Sequence, residues 1–126
     1  MISTIDIIKN DLARGGFTAQ EERFLRGLDH LTKIGRAVVF RHANTVMLLL
    51  HNGPLAAEMH FYTIDNFAIM QQQFQAFYKD AQSIGLKLLT SKTDSLVLPT
   101  LAKHAGIPVE VKTLPNGHHE VRLEIS

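Results

Sequence analysis

Leu55-Ala-Ala-Glu-Met-His-Phe-Tyr-Thr63, running straight on into Ile64-Asp-Asn-Phe-Ala-Ile-Met70, is the stretch that decides the fold. Its first half alternates. Leu55, Ala57, Met59 and Phe61 fall on one face, and Ala56, Glu58, His60 and Tyr62 on the other, which is the period of a half-buried strand. Past Thr63 the period lengthens. Phe67, Met70, Phe74, Phe77, Tyr78, Ala81 and Ile84 recur at helical spacing, and Phe67, Phe74, Phe77 and Tyr78 are expected in the core. Asp65 stands where this helix needs an N-cap, and Gly85 stops it. Leu86-Lys-Leu-Leu89 then reads as a short strand. With a helix crossing between them, the two strands are expected to lie parallel.

Upstream, Ala37-Val-Val-Phe40 is rich in β-formers, His42-Ala-Asn44 can turn the chain, and Thr45 to Leu50 is apolar on both faces, as in a central strand. Asn52-Gly53 in His51-Asn-Gly-Pro54 predicts a tight hairpin into the Leu55 strand. Two helices come first. One runs from about Ser3 to Ala13 with Ile5, Ile8 and Leu12 inward, and Asp11 to Gly16 forms a hinge. The other is capped by Thr18 with Glu21 completing a capping box, and its stripe of Phe24, Leu28 and Leu31 ends at Gly35. Downstream, Pro99 suits the first turn of a helix from Leu96 to Gly106. Ile107 to Leu114 and His118 to Ile125 complete a hairpin across Pro115-Asn-Gly117. The order is helix, helix, three strands, helix, strand, helix, two strands: an α/β chain with a mixed sheet.

A length of 126 residues fits one domain, 1–126. The absence of cysteine excludes disulfides, thiolate metal sites and thiol catalysis. Basic and acidic residues number 13 and 12 and are interspersed, so no nucleic-acid stripe forms. Asp6 and Asp11 interrupt the region where a signal peptide would be apolar, and Val46-Met-Leu-Leu-Leu50 is too short to span a bilayer. The expectation is a soluble protein without membrane or nucleic-acid partners.

From Glu58 to Ile107 this order of elements resembles the GNAT superfamily of N-acetyltransferase-like proteins, and Leu101-Ala-Lys-His-Ala-Gly-Ile107 is similar to its "leucine-tyrosine-x-x-x-glycine-phenylalanine" signature. The usual GNAT pattern has one more strand at the start, for which Met1-Ile-Ser-Thr-Ile-Asp6 could stand in. The resemblance implies a base on the Glu58 strand, with Glu58 or His60 in that role and Tyr62 nearby. It also implies that acetyl coenzyme A would dock its pyrophosphate at the turn before the long helix. There the sequence departs. Ile64, Asp65, Asn66 and Phe67 include no glycine and no basic residue, and the Asp65 carboxylate could itself occupy the helix N-terminus in place of a phosphate. At the signature's tyrosine, the family's proton donor, stands Ala102, with Lys103 turned to solvent.

Other features have plainer readings. Pairing the strands through tight turns sets His42, Thr45 and His60 in one row. Histidines two strands apart are then nearly 10 Å from each other, too far for one zinc with bonds of about 2.0–2.1 Å, so no metal is expected. Gln71-Gln-Gln73 is a solvated helix face, and Gly15-Gly16 a hinge that in the enzymes would shape the acceptor site. Two functional readings follow. The first is a non-catalytic GNAT-like scaffold without cofactor, similar to small bacteriophage virion-associated proteins. It would dock to other virion proteins or to copies of itself, in the virion or the host cytoplasm. The alternative is a divergent acetyl-CoA-dependent N-acetyltransferase.

Overall fold

The computed structural model describes residues 2–14, 21–93 and 96–125. Its elements are α1 (Thr4–Arg14), α2 (Glu21–Lys33), β1 (Ala37–His42), β2 (Thr45–His51), β3 (Ala56–Thr63), α3 (Phe67–Ser83), β4 (Leu88–Thr93), α4 (Val97–His104), β5 (Val109–Thr113) and β6 (His119–Glu124). They follow the order expected from the sequence. The strands form one sheet ordered β1-β2-β3-β4-β6-β5, antiparallel throughout except for the parallel pair β3 and β4. No further strand precedes α1 among the described residues, because the segment proposed as its stand-in is already helical from Thr4. The Thr18 cap and the Gly15-Gly16 hinge lie outside the described residues.

Alternation along the strands divides the apolar residues between two cores. Met47, Leu49, Ala57 and Met59 face Phe74, Phe77 and Ala81 of α3 and Leu98 and Leu101 of α4. Val46 faces the other way, onto Ile7 and Ile8 of α1, with Tyr62 and Phe24 packed alongside. A helix layer thus covers each face, and β2 is buried on both, as its uninterrupted apolar run requires. Burying a side chain the size of Phe77 contributes about 3 kcal/mol. The two ends of the apolar stripe of α3 fall outside this core, however: Phe67 is 40% exposed and Ile84 39%. Among the described residues no helix is long and apolar enough to cross a membrane.

The three glycine stops behave alike. After α2 the N–H of Arg36 donates to Leu31 C=O and that of Gly35 to Thr32 C=O; the same two bonds recur around Gly85 and around Gly106. Each glycine has φ between 72° and 84°, the left-handed conformation this C-terminal motif demands.

The connection between β2 and β3 departs from the tight hairpin. Closing a two-residue Asn52-Gly53 turn requires an N–H from Pro54, and proline has none. Gly53 keeps a negative φ, and the chain takes four residues, 52–55, to cross. Thr45 therefore pairs with Thr63, and His60 with Leu48. The shift is odd, so the predicted His42–Thr45–His60 row does not exist and the two histidines lie on opposite faces of the sheet.

Candidate active site

β3 and β4 are paired only through Ala56↔Leu88, Ala57↔Leu89 and Glu58↔Thr90. Beyond Glu58 they part. Odd-numbered residues of β3 turn their backbone toward β4: Leu55 C=O accepts from Lys87 and Leu88 N–H at one end of the strand. At the other end α1 has taken over the edge. The Asp11 carboxylate accepts from Thr63 N–H at 2.6 Å, and the Arg14 guanidinium donates to Thr63 C=O at 3.2 Å. Between these ends the backbone of Phe61 faces the gap without a partner on β4.

On the α3/α4 side the gap widens into a cavity of about 170 Å³, walled by Phe61, Met70, Ser91, Thr93, Leu98 and Leu101. A cavity of this size holds a ligand about as large as benzene. Its lining is mostly apolar, with the Ser91 and Thr93 hydroxyls along one wall.

On the opposite face of β3, Glu58 and His60 meet, with His60 Nε2 2.8 Å from Glu58 Oε1. A carboxylate only accepts, so the imidazole donates from Nε2 and keeps Nδ1 as its acceptor. Both side chains are accessible, at 46% for Glu58 and 34% for His60. Tyr62, the third residue on this face, is set apart. Its ring packs against Phe24, centroids 5.7 Å apart, in the α1/α2 core. Burial, helped by the negative charge of Asp11, pushes its phenol up to about 12. Tyr62 therefore keeps its proton at neutral pH.

The turn before α3 is built differently from the sequence expectation. Asn66, in extended conformation, is the N-cap, and its Oδ1 accepts from Ile69 N–H at 3.0 Å. Asp65 turns away from the helix, accepting from Asn44 N–H at 2.9 Å and from the Thr45 hydroxyl at 2.8 Å. With its one hydroxyl hydrogen donated to Asp65, Thr45 Oγ1 accepts from the Thr63 hydroxyl at 2.7 Å, and Thr63 Oγ1 accepts from Asp65 N–H at 2.9 Å. The carboxylate therefore joins the β1–β2 turn to the end of β3 and does not stand in for a phosphate. Ile64 and Phe67 on either side are exposed.

Ala102 is fully buried and lies in the core with Ile107, at the hydrophobic closure that ends α4. No proton donor occupies that position, and Lys103 is exposed, as expected. A second histidine–carboxylate pair escaped the sequence reading. His42 Nε2 lies 2.6 Å from Asp80 Oδ2, with the imidazole edge-on to Phe77. Thirty-eight residues separate these partners, and no local pattern links them.

No protein-family profile matches the sequence, and no curated protein matches it. Solved structures do. The chain is similar to aminoglycoside 6'-acetyltransferase type Ii, with a TM-score of 0.71 at 12% identity over 98% of this chain and 90% of that one. It is similar to the Campylobacter jejuni N-acetyltransferase PseH in complex with acetyl coenzyme A, at 0.67 and 15% over 99% and 94%. The microcin C7 self-immunity acetyltransferase MccE, in complex with acetyl-CoA and AMP, gives 0.65 and 11% over 97% and 84%. The fold is that of the GNAT N-acetyltransferases.

Proposed function

We propose that this chain is an acetyl-CoA-dependent N-acetyltransferase. The observation that supports this most is the parting of β3 and β4 immediately beyond Glu58, which opens a gap beside the Glu58–His60 pair. The neighbours solved with acetyl-CoA support the same reading. Acetyl coenzyme A supplies an acyl group activated as a thioester. The residues along the gap fit its narrow arm: the free backbone of Phe61 offers one donor and one acceptor, and the wall is apolar. The turn at α3 gives its diphosphate less, since Asn66 already holds one of the first-turn N–H groups.

An alkylamine holds its proton up to about 10.4 and must lose it before it can attack a carbonyl. His60 accepts that proton at Nδ1, while Glu58 fixes the tautomer through Nε2–H and stabilises the imidazolium that forms. The thiolate leaves without a dedicated donor. A thiol is far more acidic than an alcohol (about 8.5 for cysteine), so a thiolate is a far better leaving group than an alkoxide.

One observation favours a second reading, a non-catalytic scaffold such as a virion protein: both the phosphate turn and the signature tyrosine have been given over to structural residues, Asn66 and Ala102. Calorimetric titration with acetyl-CoA, followed by thiol-release assays over a panel of primary amines, separates the two. Micromolar binding and turnover are expected. His60→Ala should lower kcat by about 10²-fold or more, and Glu58→Gln by a smaller factor. No binding at millimolar acetyl-CoA would favour the scaffold. Unchanged rates in both variants would remove the pair from the reaction.

A further inference from the structure

β5 closes one side of the sheet. It pairs with β6, and its outer edge has no partner among the described residues. Leu114 N–H donates to His118 C=O at 2.7 Å, so even-numbered residues here turn their backbone toward β6. Because successive residues alternate, Val109, Val111 and Thr113 present their N–H and C=O groups outward. Val111 is also 41% exposed, an apolar side chain in the middle of an open edge.

Such an edge is a template for another strand, and charged residues on it normally discourage pairing. Here the charges discriminate between registers. A second copy of β5, run antiparallel, must match outward residues with outward residues, and the registers of this kind that overlap three residues of β5 or more are centred on residue 110, 111 or 112. Centring on Glu110 sets that carboxylate against its own copy, and centring on Lys112 does the same with two ammonium groups. Centring on Val111 sets Glu110 opposite Lys112 on both sides of the axis, in the non-hydrogen-bonded positions where cross-strand side chains come closest. We propose that β5 pairs with β5 of a second copy in this register, joining two sheets across a two-fold axis through Val111.

In that arrangement Val111 exchanges its backbone hydrogen bonds with its counterpart, and Val109 exchanges with Thr113, giving about six bonds in all. Pro115 has no N–H for the outward side and ends the pairing there. Five residues a side fall well short of the roughly 800 Å² per partner of a stable interface. The dimer is therefore weak and concentration-dependent, and it does not depend on the acetyltransferase reading.

Sedimentation of the full chain from micromolar to millimolar concentration tests it, with circular dichroism to establish that each variant is folded. The wild type should self-associate reversibly. Val111→Pro removes one outward N–H and leaves the β5–β6 ladder intact, and should weaken association about tenfold or more. Glu110→Lys and Lys112→Glu should each stay monomeric alone yet associate with each other when mixed, since each then carries a single sign of charge at both positions. The double variant, with the charges exchanged, should dimerise as the wild type does. A wild type that stays monomeric throughout would overturn the proposal, as would a dimer that survives both single charge changes.

Discussion

His60 and Tyr62 stand two residues apart on one strand face and meet different surroundings. His60 reaches past the cover of α1 and α2 and pairs with Glu58 in the open. Tyr62 lies under that cover against Phe24, and the cost of burying a phenolate, with Asp11 adding to it, holds its proton to about 12. The unfolded chain releases this proton at about 10. Between those values the folded state binds more protons than the unfolded one. The contribution is thus complete below pH 10 and is lost as pH rises through the window. Urea unfolding at pH 9 and at pH 11.5 should show the stability advantage of the wild type over Tyr62→Phe shrinking with pH. An advantage that stays constant would mean that the phenol titrates as it does in water. All three residues could be named from alternation alone. Their division into an exposed pair and a half-buried phenol could not, because it depends on which part of the face the N-terminal helices cover.

Among the elements, the turn from β3 into α3 shows how adjacent residues can exchange roles. Asp65 and Asn66 are both good N-caps, and sequence offers little to choose between them. The choice is made by the β1–β2 turn. It presents Asn44 N–H and the Thr45 hydroxyl to the Asp65 carboxylate and leaves Asn66 to cap the helix. Asn66→Ala should cost about 1 kcal/mol, with faster amide exchange in the first turn of α3. Asp65→Ala should cost about 1–3 kcal/mol, with the faster exchange appearing at Asn44 instead. Faster exchange at Ile69 in the Asp65 variant would restore the carboxylate as the cap. The β2–β3 connection carries a related lesson. Asn-Gly was a sound hairpin signal in isolation, and Pro54 directly after it cancelled it by withholding the N–H the turn must close on. A three-residue change in register then dissolved the histidine row.

At the scale of the whole molecule, the gap between β3 and β4 is the feature on which the functional reading depends. Val97, 42% exposed at the start of α4, borders the cavity. Val97→Trp should fill the mouth of the gap, leave the melting temperature nearly unchanged and weaken acetyl-CoA binding about tenfold or more. Binding that survived this change would show that the ligand enters elsewhere.

The sequence by itself determined the order of elements, the parallel crossover, the two faces of β3 and the glycine ends of three helices. Each of these follows from local periodicity or from the backbone demands of a single residue. Only the tertiary structure decided where β3 and β4 separate, which residue caps α3, that Asp11 and Arg14 close the free end of β3, and that His42 meets Asp80. Those depend on partners many residues apart, whose encounter is set by how the helices pack on the sheet.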